Sequence, residues 1–137
     1  MSGERGLDRL LAGIRPRRNP GTYLFCSVPP EQRPGDVRAI ATFEESEGRT
    51  LVVEEGEAAR HGLAGEFRCV WITLEVHSDL AAVGFLARVA GALAAEGIPC
   101  NAIAAFHHDH LFVPDERADD ALAVLERLAA AADRRGA

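Results

Sequence analysis

The hydrophobic positions along this chain change their spacing several times, and each change marks an element. Leu7, Leu10, Leu11 and Ile14 fall on one face of a short amphipathic helix, residues 6–14. "TYLFCSV" reads as a strand, and "PPEQRPGD" reads as a loop because its prolines break regular structure. "VRAIATFEE" and "RTLVVEE" are two strands joined by "SEG", the pattern of a hairpin. "EAARHG" is a short helix stopped by Gly62, and "FRCVWITLEV" is a strand long enough to serve two sheets or run between two halves. In "SDLAAVGFLARVAGALAAEG", Phe85, Leu86, Val89, Ala90 and Leu93 recur at helical spacing, with Ser78 or Asp79 placed to cap the helix and Gly97 to end it. "IPCNAIAAF" and "HLFVP" are strands. "DERADDALAVLERLAAAADRRG" is the last helix, with Leu122, Leu125, Leu128 and Ala129 expected inward.

Residues 67–137 thus read β-α-β-β-α, and the first half reads β-loop-β-β-α before feeding the same long strand. The two blocks look like related units, 1–66 and 67–137, the first with a loop where the second has a helix. Helices behind one face of an antiparallel sheet make an α+β sandwich. Apolar residues occupy both parities of the second-half strands: Ile103 and Ala105 alternate with Ala102, Ala104 and Phe106, and Phe112 with Leu111 and Val113. Helices cover one face of such a sheet, so the other is expected to be covered by the other half of the chain or by a second copy. That pattern predicts a homodimer.

Composition narrows the function classes. The 137 residues are 47% hydrophobic, enough for a core, and no apolar run reaches the roughly 18 residues of a membrane span. A net charge of −6 argues against nucleic acid as a partner. All fifteen basic residues are arginine, which removes Schiff-base chemistry and the lysine of a phosphate-binding loop. Arg15, Arg17 and Arg18 read as a solvated helix end rather than an anion site. Cys26, Cys69 and Cys100 are far apart and form no CxxC, so they read as buried thiols in a reducing compartment. The charged start "MSGERGLDRL" lacks the apolar core of a secretory signal, and the cytoplasm is the expected location.

"VGFLARVAGALAAEGIPCNAI" resembles the helix-and-strand core of ACT domains, small ligand-sensing modules of ferredoxin-like fold. Gly84, Phe85, Leu86, Val89, Leu93, Gly97 and Ile98 carry the likeness. Residues 71–114 are similar to the ACT variant of a family of small, uncharacterised tandem-ACT proteins, and "TYLFCSV … AIATFEESEGRTLVVE" to its degenerate first unit. The resemblance implies a ferredoxin-like βαββαβ sandwich, with two ACT-like units in tandem. Two departures stand out: Val83 occupies the usual proline position, and Asp79 lies five positions before Gly84.

A helix N-terminus offers unpaired amides to a carboxylate, and glycine allows close approach. Val83, Gly84 and Phe85 supply that surface if the helix starts there. If it starts at Ser78, the site moves to Ser78, Asp79 and Leu80. His77 ends a strand beside this loop and is a further candidate. The resemblance implies that an aromatic residue followed three positions later by an aspartate lies opposite, here Phe106 and Asp109. It also implies that an edge strand of a neighbouring unit completes the cleft, for which Cys100, Asn101 and Ala102 are candidates.

"FHHDHLFVP" offers a different chemistry. In an extended stretch His107 and Asp109 share one face while His108 and His110 share the other, which spreads the donors and weakens a metal site. No nucleophile elbow occurs among the serines. The expected function is a non-enzymatic regulatory protein that binds a small molecule, an amino acid above all, without a cofactor. The alternatives are a metal-binding protein using His107–His110 and a ligand-free interaction module.

Overall fold

The computed structural model describes residues 6–32 and 35–136. Arg33 and Pro34, within the expected loop Pro29–Asp36, lie outside them. Packing separates Pro20–Val70, the central unit, from Met1–Asn19 with Trp71–Ala137, the terminal unit.

The central unit holds β2 (Tyr23–Val28), β3 (Ala39–Glu45), β4 (Gly48–Glu54), α2 (Glu55–Arg60) and the first part of β5 (Gly65–Leu74). Its strands run in the order β3-β4-β2-β5 with antiparallel neighbours. The predicted hairpin forms, with Ser46 and Glu47 at its turn. Cys26, Val28, Leu51, Val53 and Ala58 form the core, and the alternation of these positions along β2 and β4 is what puts them on one face. The carboxylate of Glu54 caps α2 by accepting from the amides of Gly56 and Glu57, and Gly62 follows the helix with φ +63°. Glu57 is buried. It accepts from the Arg38 amide at 2.8 Å and pairs with Arg60 and His61, and the Arg38 hydrogen bond is the main reason its carboxyl lies below the usual range, against the opposing effect of burial.

β5 carries one extra residue against β2: Tyr23 faces Cys69 while Phe25 faces Glu66. Phe67 sits in this bulge at φ +60°, a left-handed conformation that costs about 1–3 kcal/mol outside glycine. Its ring meets Phe25 edge-on at 6.0 Å.

The terminal unit holds α1 (Leu7–Ala12), β1 (Pro16–Arg18), the end of β5, α3 (Phe85–Ala95), β6 (Asn101–Ala104), β7 (Asp109–Pro114), a 3-10 turn at Asp115–Arg117, and α4 (Ala118–Gly136). β7 lies beside both β5 and β6, and β1 pairs with β5 antiparallel. α1 packs on α4 and α3, and its predicted face is the buried one: Leu10, Leu11 and Ile14 are enclosed.

The chain departs from the spacing pattern at four places. The arginine run is a strand and not a helix end, with Pro16 opposite Leu74 and Arg18 opposite Ile72. Proline is tolerated at the first strand position, and the guanidiniums are held by acids: Arg17 on Glu75 at 3.0 Å and Arg18 on Asp115 at 3.7 Å. Second, the helix after β5 begins at Phe85 and not at Ser78. Third, β6 stops at Ala104, because the chain bends at Phe106 and His107 and the Ala105 amide bonds back to His108. Fourth, in α4 Ala118, Ala121, Val124, Leu125 and Ala132 are buried, while Leu122, Leu128 and Ala129 are half-buried.

Candidate functional site

Ten residues separate the end of β5 from α3, and their turn chemistry builds one wall of a cleft. Asp79 does not cap a helix. Its Oδ1 accepts from the Ala81 amide at 2.7 Å and its carbonyl from the Ala82 amide at 2.9 Å, which folds the segment into a tight turn. Gly84 then takes φ +87° and precedes the helix. The first bond inside α3 runs from the Arg88 amide to the Gly84 carbonyl, so the amides of Phe85, Leu86 and Ala87 have no acceptor within the helix. A Gly84→Ala protein is expected to lose about 1–2 kcal/mol, because the open space there accepts a Cβ but the left-handed backbone does not. Urea denaturation of the two proteins measures this.

The other wall comes from β6 and β7. The register pairs Ala104 with Asp109, Ile103 with His110 and Ala102 with Leu111. Asp109, Leu111, Ala104 and Ala102 therefore share one face. Asp109 is only 6% exposed. The Ser78 hydroxyl donates to its Oδ2 at 3.0 Å. Oδ1 has no hydrogen-bond partner among the described residues. It is not sealed off either, since no fully buried side-chain oxygen of those residues lacks a partner. The residue lines a cavity of about 90 Å³ together with Ser78, Asp79, Leu80, Ala82, Phe85, Leu86 and Ala104.

Of the residues singled out in the sequence as site candidates, Ser78, Asp79, Leu80, Phe85 and Asp109 meet at this cavity. Gly84 shapes it from the neighbouring position. Val83 is 85% exposed and Phe106 67% exposed, and neither lines it. Phe106 packs edge-on against His107 at 4.9 Å, and His107 faces His77 at 6.1 Å. Asn101 is exposed and, facing Phe112 in the register, lies on the sheet face opposite Asp109. Leu86, Ala82 and Ala104 were missed as lining residues. Leu86 reads as core from its spacing, and no sequence signal marks two alanines as cavity walls.

The histidines disperse. His110 points to the other face of the sheet, where its Nδ1 accepts from Trp71 Nε1–H at 2.9 Å and lies 3.1 Å from the Thr73 hydroxyl. Thr73 in turn accepts from the Asn19 amide at 2.9 Å, and Asn19 accepts from Arg17 at 2.7 Å. No group of three His, Cys, Asp or Glu side chains converges on a metal position among the described residues. With Nδ1 acting as acceptor, the ring is neutral and carries its proton on Nε2. Burial pushes the His110 pKa down, His108 and Arg17 push it further, and Asp109 opposes them.

The sign follows from linkage. The unfolded chain takes up the proton first, near the usual 6.5, so the contribution of His110 is full above that value and is lost as pH falls through the lower folded one. Wild type is therefore expected to lose stability to urea between pH 7 and pH 5 more steeply than a His110→Asn protein, whose amide oxygen still accepts from Trp71.

Residues 2–70 match one ACT domain family and residues 66–127 match a second. No curated protein matches the chain. A solved protein of unknown function from Vibrio cholerae, described as a possible transport protein, is 42% identical, with a TM-score of 0.80 over 90% of this chain and 95% of that one. A protein from Agrobacterium tumefaciens aligns at 15% identity and a TM-score of 0.63, over 85% of this chain and 89% of that one. The ligand-free regulatory subunit of aspartate kinase from Thermus thermophilus aligns at 13% identity and a TM-score of 0.60, over 85% of this chain and 98% of that one. At such identities the last two speak for the fold alone. They share the antiparallel mixed α/β architecture of ACT domains.

Proposed function

Because the chain belongs to the ACT domain family, we propose that it is a regulatory protein that binds an α-amino acid between the start of α3 and Asp109, and that it is not itself an enzyme. The observation that carries this reading is the buried Asp109, which lines a cavity at a helix N-terminus and has one carboxylate oxygen without a hydrogen-bond partner among the described residues. A zwitterion fits that polarity. Its ammonium neutralises Asp109, and its carboxylate takes the free amides of Phe85, Leu86 and Ala87 at the positive end of the helix. Ser78 orients the acid, and Gly84 lets the ligand approach the backbone.

In this reading residues 1–66 and 67–137 are two ACT units, the first degenerate, and the protein works in the cytoplasm. No helix among the described residues is long and apolar enough to cross a membrane. Leu80, Val83 and Phe106 are large, apolar and exposed, and they favour a homodimer in which a second copy covers them and brings its Asn101 and His77 towards the cleft. Binding then regulates by favouring one state of that assembly.

A thermal-shift screen of the twenty amino acids tests the function. A ligand at a hundred times its Kd stabilises by about 2.7 kcal/mol, which raises the melting temperature by several degrees in a protein of this size. If every amino acid leaves it unmoved and calorimetry is blank, the interaction-module alternative takes its place.

A further inference from the structure

We infer that amino-acid binding at Asp109 and proton uptake by His110 oppose each other across β7, so that the protein loosens its hold on the amino acid as pH falls. The inference rests on the amino-acid reading above and adds a regulatory input to that site. Asp109 and His110 are consecutive on β7 and point to opposite faces of the sheet. Asp109 lines the cavity, and His110 stands in the polar chain behind it, with Thr73 and Asn19 both buried. Charged and titratable groups reach the ring from several elements. Arg17 comes from β1 and is paired with Glu75 of β5, while His108 and Asp109 belong to the ring's own hairpin. β6 presents the apolar Ile103 at this position.

Two effects couple the faces. The first is hydrogen bonding. His110 Nδ1 accepts from Trp71 Nε1–H, and a proton on Nδ1 turns it into a donor. The Thr73 hydroxyl, 3.1 Å away, can turn to accept that proton. The indole N–H only donates, so it loses this acceptor. The ring must draw back from Trp71, and β7 carries the shift to the neighbouring Asp109. The second effect is charge. Burial is the largest influence keeping the ring neutral, and His108 and Arg17 add to it, whereas Asp109 favours the charged form. An ammonium bound at Asp109 cancels that favourable charge. The occupied protein therefore holds a proton on His110 less well than the free protein. By reciprocity the protonated ring holds the amino acid less well. Affinity is full while the ring is neutral and falls as pH drops below the usual 6.5 through the lower folded value.

The protein has a single tryptophan, so indole fluorescence reads the ring directly. The probe is whichever of the twenty amino acids raises the melting temperature most. Its affinity by calorimetry is expected to fall about threefold between pH 7 and pH 5, and reciprocity then lowers the fluorescence midpoint of wild type by about 0.5 pH unit when that amino acid is saturating. In a His110→Asn protein, whose amide oxygen still accepts from Trp71, the fluorescence step disappears and most of the affinity loss goes with it. A fluorescence midpoint that the amino acid leaves unmoved, or a His110→Asn affinity that falls as steeply as that of wild type, overturns the coupling and leaves the amino-acid site standing. Absence of binding by all twenty at pH 7 overturns the site and the coupling together.

Discussion

An Asp109→Asn protein is expected to fold at least as well as wild type and to bind its amino acid a hundredfold more weakly or worse. The two halves of this result have one cause. Asp109 is buried, and its single hydrogen bond, from Ser78, leaves one oxygen without a protein partner. A buried carboxylate in that state carries an uncompensated desolvation cost until a ligand arrives. Asparagine keeps the size and still accepts from Ser78, so folding loses nothing. Removing one member of a buried charge pair costs about 2–5 kcal/mol in binding, and the lower half of that range is already near a hundredfold. A residue retained only for packing predicts the opposite: unchanged ligand binding and a lower melting temperature. Calorimetry and a melting curve on the same two samples separate the cases.

The largest loss of stability is expected from Phe112→Ala. Phe112 is 1% exposed and is among the largest fully buried side chains of the protein. Truncating such a ring costs about 3–5 kcal/mol, from lost transfer energy and from the cavity left behind. Against the 5–15 kcal/mol that holds a typical domain together, that removes a large part of the margin. Phe106→Ala is the matched control. That ring is 67% exposed, so its removal is expected to move stability by less than about 0.5 kcal/mol. Urea denaturation gives both numbers, and a similar cost for the two would contradict the packing described here.

Much of this was readable from spacing alone. The strands and helices of the sequence pattern are present, and the alternation around Asp109 correctly sent His110 away from it. The entry to α3 was not settled, for a physical reason. Ser and Asp cap helices by accepting backbone amides, and the same chemistry closes tight turns. Asp79 does the second, five residues upstream of where the chain takes up positive φ at Gly84. The strand Pro16–Arg18 was hidden because its arginines pair with Glu75, Asp115 and Asp119, acids distant in sequence. In α4 alanine-rich spacing left the inward face ambiguous by one position. Of the pair that the resemblance implied, Phe106 stands outside the cavity, whereas Asp109 lines it. The Trp71–His110–Thr73–Asn19 chain joins segments far apart in sequence, and no local pattern announces it.

The central claim is that the cleft between the α3 N-terminus and Asp109 is an amino-acid site. Its most direct test is a crystal structure grown with the amino acid that gives the largest thermal shift. That crystal is expected to show a ligand whose ammonium lies within hydrogen-bond distance of Asp109 Oδ1 and whose carboxylate meets the amides of Phe85 to Ala87. A bound amino acid elsewhere on the protein, with this cleft left to water, would contradict it.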